Sequence, residues 1–282
     1  MKILKTIRLL VVLQIIFACW TATSCLADKA NSAVSVKEAK QQVSTGPQTE
    51  EEVSALIEKY SGMLKQNPKD VASLIKRGDL YFQLREFDEA IADYSDAIDL
   101  NSHADAAYFG RGMALARNGQ IREGIEDLTV YIQRHPNETR AYTKRGVRYL
   151  WIQDEARAEK DFNRAIALDA TNAEAHDDLG VIHAKRGDYI GALRHFNAAI
   201  KFDPTYFKAF HNLAMVYYIQ GLDLLALSSV EESLRLVPDQ RNSMLLKADI
   251  LQALGRASEA AKVKADAEFL PEGNWSEQIK VQ

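Results

Sequence analysis

Cysteine is almost missing from this chain. Of its 282 residues only Cys19 and Cys25 are cysteines, and both fall within the first 25 positions. The rest of the chain therefore has neither a disulfide framework nor a thiol nucleophile. It also lacks a phosphate-binding glycine loop, an HExxH pair and a CxxC pair, which removes the most specific signatures of nucleotide and metal chemistry. Positive charge is not in excess: 35 Lys and Arg stand against 39 Asp and Glu, a net −4. That argues against a nucleic-acid surface, which carries a basic stripe. What remains is an ordinary soluble composition, 47% hydrophobic and 26% charged, on a chain long enough for one or two domains.

The first 25 residues stand apart. Lys2, Lys5 and Arg8 precede the apolar stretch Leu9–Ala18, which Gln14 interrupts. This stretch is about half the length a membrane-spanning helix needs. Small residues follow at Ala22, Thr23, Ser24, Cys25 and Ala27, the order of a secretory signal peptide. Ala22–Cys25 resembles the lipobox of bacterial lipoproteins, which implies a lipid on Cys25 and residence at a bacterial envelope membrane or in the periplasm. That family prefers Leu where Ala22 stands, so lipidation at Cys19 and ordinary cleavage near Ser24 or Ala27 stay open. Residues 26–49 are polar without an apolar period and read as a flexible linker.

From residue 71 onward the chain repeats itself every 34 residues. Gly78, Gly112, Gly146, Gly180, Ala214 and Ala248 form one column of small residues. Ala90, Gly124, Ala158, Ala192, Ala226 and Ala260 form a second, and Ala97, Tyr131, Ala165, Ala199, Ser233 and Ala267 a third. Large residues keep the same step at Tyr81, Leu115, Tyr149, His183, Tyr217 and Leu251, and at Tyr94, Leu128, Phe162, Phe196, Val230 and Lys264. Pro68, Pro136, Pro204 and Pro238 are in phase, as are Gly119, Gly187, Gly221 and Gly255. A fixed period in this range signals a solenoid.

These columns resemble the tetratricopeptide repeat family, in whose 34-residue scheme they occupy positions 8, 20, 27, 11, 24, 32 and 15. The resemblance implies an all-α, right-handed solenoid of stacked antiparallel helix pairs, with repeats at 71–104, 105–138, 139–172, 173–206, 207–240 and 241–274. Small residues at 8, 20 and 27 let helices A and B of each unit approach closely, and large ones at 11 and 24 fill the space beside them. Proline at 32 ends helix B, and glycine at 15 eases the A–B turn. Residues 50–68 have helical apolar spacing and read as a cap on the first repeat, because a terminal unit lacks a neighbour. Residues 275–282 form a tail.

Arg77-Gly78-Asp79 and Arg186-Gly187-Asp188 spell an adhesion tripeptide. The first straddles position 8 and the second the position-15 turn, so both read as by-products of the repeat.

In the resembled family the concave groove is lined by helix A at positions 2, 5, 9, 12 and 13. That implies a partner-binding set of Ile75, Asp79, Phe82, Phe109, Met113, Thr143, Val147, Trp151, Asp177, Val181, His211, Met215 and Tyr218, with Leu150 and Lys185 beside them. The family's co-chaperone clamp, Lys at 5 and Asn at 9 of one repeat with Asn at 6 of the next, is absent. Such a groove suits a peptide with apolar anchors and a basic residue. The expected function is a non-catalytic scaffold or adaptor of the cell envelope that holds a protein or peptide segment and needs no cofactor. A self-assembling oligomer is the alternative of the same class. A metal-dependent enzyme built on His176, His183 and His211, with Asp177 and Asp178 nearby, is the alternative of another.

Overall fold

The computed structural model describes residues 49–270. The segment around Cys19 and Cys25, nearly all of the polar linker and the tail after residue 270 lie outside the described residues. Of these, residues 50–270 belong to one structural unit. It contains thirteen helices and, among the described residues, no strand. In order they are α1 Glu50–Gln66, α2 Val71–Gln83, α3 Phe87–Leu100, α4 Asp105–Arg117, α5 Ile121–Arg134, α6 Thr139–Trp151, α7 Glu155–Leu168, α8 Ala173–Lys185, α9 Tyr189–Phe202, α10 Phe207–Ile219, α11 Asp223–Leu236, α12 Arg241–Ala253 and α13 Ala257–Glu268. None is long and apolar enough to cross a membrane.

Each even-numbered helix up to α12 is an A helix and each following odd-numbered one its B helix. Every helix packs on its chain neighbours, and each A helix also touches the next A helix. The B helices make no such contact with one another. One row is therefore drawn together and the other splayed, which puts the A helices on the inner wall of the stack.

The small columns sit where the helices meet. Ala90, Ala158, Ala192 and Ala226 are fully buried, as are Ala97, Ala165, Ala199 and Ala267. A β-carbon on Gly180 would stand 2.4 Å from the Phe196 ring, and one on Gly112 would stand 2.8 Å from the backbone oxygen of Gly124. Tyr131 departs from its small column and is half-buried, tilted against Phe109 with ring centroids 5.1 Å apart. In the last unit Lys264 is exposed on α13, whose only buried residues are Ala260 and Ala267.

The A–B turn takes a left-handed backbone in all six repeats. Gly119, Gly187, Gly221 and Gly255 have φ between 71° and 93°, while Arg85 and Gln153 adopt 66° and 61° at the same position. Glycine does this without the steric cost that a side chain adds.

Arginine and aspartate build a further repeating contact. Arg77, Arg111 and Arg145 on the A helices use Nε and Nη2 to donate to both carboxylate oxygens of Asp93, Asp127 and Asp161 on the following B helices, at 2.6–2.9 Å. The Nη1 of each donates to Ser61, Ser95 or Thr129 on the helix just before it, at 3.0–3.2 Å. Each arginine thus ties three successive helices. Leu179 and Leu213 replace arginine in the fourth and fifth repeats, and Lys247 in the sixth binds Glu231 of the preceding B helix at 2.9 Å.

The adhesion-like tripeptides are absorbed by this frame. Arg77 belongs to the ladder, Gly78 packs on Tyr94, and Asp79 accepts from the Tyr94 hydroxyl at 2.8 Å. In the second, Arg186 binds Glu159 at 2.8 Å and Gly187 makes the left-handed turn. Asp188 caps α9 by accepting from the Gly191 amide.

Candidate functional site

A cleft of about 630 Å³ runs along the inner wall from α4 to α12. A second, of about 450 Å³, lies between α2 and α6 and meets the first at Met113. The A helices place these walls, because residues four apart on a helix share a face and successive A helices stand side by side. Met113, Val147, Trp151, Asp177, Val181, His211 and Met215 line the larger cleft, and Asp79, Phe82, Phe109 and Met113 the smaller.

Three expected groove residues lie elsewhere. Ile75 packs against the first core cluster. Thr143 is only 1% exposed; its hydroxyl donates to the Thr139 carbonyl and accepts from Asn172. Tyr218 packs against the C-terminal core. For Thr143 the reason is depth: at position 5 Thr143, Asp177 and His211 are buried, whereas Val147, Val181 and Met215 at position 9 are not. Met215, at position 9, is accordingly 42% exposed. Leu150 lines the cleft, while Lys185 turns outward to Glu155 at 3.4 Å.

The floor of the cleft is polar, half-buried at Lys144 and Glu174 and buried at Asp177, Arg148 and His211. Lys144 holds both oxygens of Glu174 at 2.6 and 2.7 Å. Asn212 donates to Asp177 Oδ1 at 2.9 Å, and His211 Nδ1 lies 3.0 Å from the Ser243 hydroxyl. Burial pushes the Asp177 carboxyl up to about 7, against the pull of the Asn212 bond. Burial, with Asp177 beside it, raises Asp178 well above the carboxylate range. Burial also lowers His211 to about 4. Arg148 is 2% exposed, and burial followed by the nearby Arg117 lowers it to about 10. Both guanidiniums stand over the Trp151 ring, Arg148 at 4.8 Å and Arg117 at 5.3 Å.

Arg117, Lys144, Arg148 and Lys208 all line this cleft. They fall outside the groove set that the repeat scheme implied. Arg117 and Lys208 occupy positions 13 and 2 of the groove scheme, a signal already in the sequence. Lys144 and Arg148 are at positions 6 and 10, outside it.

The histidines do not group as expected. His211 sits in the cleft floor, while His176 packs with His195 and Phe202, and His183 stacks on His195. His195 therefore takes the place assigned to His211, because α9 carries it back over α8. Burial, followed by the charge of His176, lowers His195 to about 4. Among the described residues no group of three or more His, Cys, Asp or Glu is placed to hold a metal ion.

Comparison with known proteins agrees with this architecture. A family model described as Tetratricopeptide repeat matches residues 75–139, and one described as TPR repeat matches residues 182–221. A tetratricopeptide repeat protein from Parabacteroides merdae superposes with a TM-score of 0.67 at 21% identity, over 81% of this chain and 90% of that one. PilW, described as a widely conserved type IV pilus biogenesis factor, gives 0.62 at 20% identity, over 74% and 96%. YrrB, described as a TPR protein with an unusual peptide-binding site, gives 0.50 at 22% identity, over 67% and 97%. No curated protein matches this chain. The 34-residue helix pairs, with family matches over residues 75–139 and 182–221, place these repeats in the tetratricopeptide class of fold. The class is one of protein-interaction scaffolds.

Proposed function

We propose that this protein is a non-catalytic adaptor of a bacterial cell envelope that holds an extended peptide segment of a partner along its A helices. One observation carries the reading: apolar side chains left standing on an inner wall, with a polar floor between them. Packing does not require Met215 to be 42% exposed beside Trp151 and Val181. Exposed apolar patches rimmed by polar groups mark interaction sites, and tryptophan is a common energetic anchor. The two connected clefts suit a chain that runs along the wall rather than a compact ligand.

The envelope assignment rests on residues 1–25, whose basic start, apolar stretch and small residues before Cys25 suit export, with Cys25 as the lipid-bearing residue. Mass spectrometry of the mature N-terminus, with Cys25→Ser as control, tests it: a lipid-sized mass that vanishes in the variant is expected. A mature chain retaining residues 1–18 would refute export.

The groove is tested by placing a photo-crosslinking amino acid in living cells at Met215 or at Glu126, on the outer α5. A partner adduct at Met215 that Trp151→Ala diminishes, with none at Glu126, is expected. Equal adducts at both sites would refute the groove.

A further inference from the structure

We infer that Arg148 receives a carboxylate side chain, aspartate or glutamate, from a partner peptide lying in the larger cleft. The inference rests on the groove reading and names the chemistry of its centre.

Arg148 Nη1 donates to the Lys144 carbonyl at 3.2 Å, but its Nε and Nη2 have no hydrogen-bond partner. A buried guanidinium edge without an acceptor is costly. Elsewhere this protein uses the same edge for one purpose. In Arg77, Arg111 and Arg145, Nε and Nη2 together grip a carboxylate. The fork geometry matches a carboxylate's two oxygens, so the unused edge of Arg148 is shaped for the group its three counterparts hold.

Glu174 and Asp178 act on the Arg148 charge, but neither forms a hydrogen bond with it. Glu174 is already held by Lys144. Asp178 makes no ion pair with Arg148 and keeps an unpartnered Oδ2, its charged form disfavoured by burial. Arg117, which also stands over the Trp151 ring, adds positive charge. The Trp151 ring stands over the Arg148 guanidinium at 4.8 Å, and the Nε–Nη2 edge is covered in the free protein, so entry requires the covering side chains to move aside. The clefts extend past Arg148 in both directions, toward α2 and toward α12. A chain passing through presents a side chain there, rather than its terminus. This replaces the basic residue that the sequence suggested for the partner.

The test uses the full chain and two random dodecapeptide libraries, one displayed within a fusion and one with free C-termini. Selected peptides are synthesised with each acid replaced by its amide. The internal library is expected to yield binders sharing an Asp or Glu. Amide replacement should weaken them at least tenfold on the wild type and less than twofold on Arg148→Gln. Trp151→Ala should weaken all of them. Should Arg148→Gln fail to fold, Arg148→Lys keeps the charge and loses the fork, and at least threefold weakening is expected.

Binders sensitive to Trp151→Ala yet indifferent to amide replacement would overturn the role of Arg148 and leave the groove standing. So would an unchanged affinity in a folded Arg148 variant. Binding confined to free C-termini would overturn the side-chain assignment. Failure to select any binder sensitive to Trp151→Ala would overturn the groove and this inference together.

Discussion

Gly146 on α6 faces Phe162 on α7 so closely that a β-carbon on the glycine would stand 2.6 Å from the ring. The sixteen-residue step between them recurs with a consistent trade. Glycine occupies position 8 where position 24 is Tyr94, Leu128, Phe162 or Phe196, and alanine occupies it where position 24 is Val230 or Lys264. Volume lost on one helix is regained on the other, as dense packing requires. Gly146→Ala should therefore destabilise by about 1–3 kcal/mol through overpacking. Combining it with Phe162→Val should cost less than the sum of the two singles. Urea melts of all three variants supply the cycle.

The two non-glycine turns predict the opposite sign. Gln153 holds φ at 61° where four other repeats have glycine. Gln153→Gly removes a left-handed penalty and should stabilise by about 0.5–1.5 kcal/mol, less any entropy gained by the unfolded chain. A raised urea midpoint is the expected result.

The arginine–aspartate ladder should behave as a unit. The Arg145 and Asp161 side chains are 15% and 5% exposed. Asp161→Ala leaves the guanidinium facing apolar neighbours and should cost about 2–4 kcal/mol, whereas the joint Arg145→Met/Asp161→Leu replacement should cost less than that. Chemical denaturation of the two variants distinguishes them.

Two buried groups of the cleft floor pull stability in opposite directions with pH. Asp177, pushed up to about 7 from 3.8, favours the folded state while protonated in both states, and that contribution is lost as pH rises from about 4 to 7. His211, pushed down from 6.5 to about 4, contributes above its unfolded value and loses that contribution as pH falls through this window. Between pH 7.5 and 5, Asp177→Asn should enlarge the loss of stability on acidification by about 1–3 kcal/mol. His211→Asn should reduce it by a similar amount. Denaturant melts at the two pH values measure both.

The architecture was legible because small residues recur at a constant step, and only close helix contact demands that. Gly78, Gly112, Gly146 and Gly180 place the crossings without reference to any other signal. The ladder was equally present, as Arg77, Arg111 and Arg145 with Asp93, Asp127 and Asp161, yet charged residues on a helix are expected at the surface and drew no structural reading. The groove was harder. Periodicity tells which face a residue occupies but not how deep it lies. Thr143 and His211, at the same position as the half-buried Phe109, are 1% and 6% exposed. Arg148 was hidden for the converse reason: position 10 falls outside the groove scheme, yet the residue lines the cleft.

Hydrogen exchange of the full chain, with and without a selected dodecapeptide, tests the central claim most directly. Protection concentrated on α4, α6, α8 and α10, with α5, α7 and α9 unchanged, is the predicted result. Protection on the outer helices, or none on the inner row at saturating peptide, would contradict it.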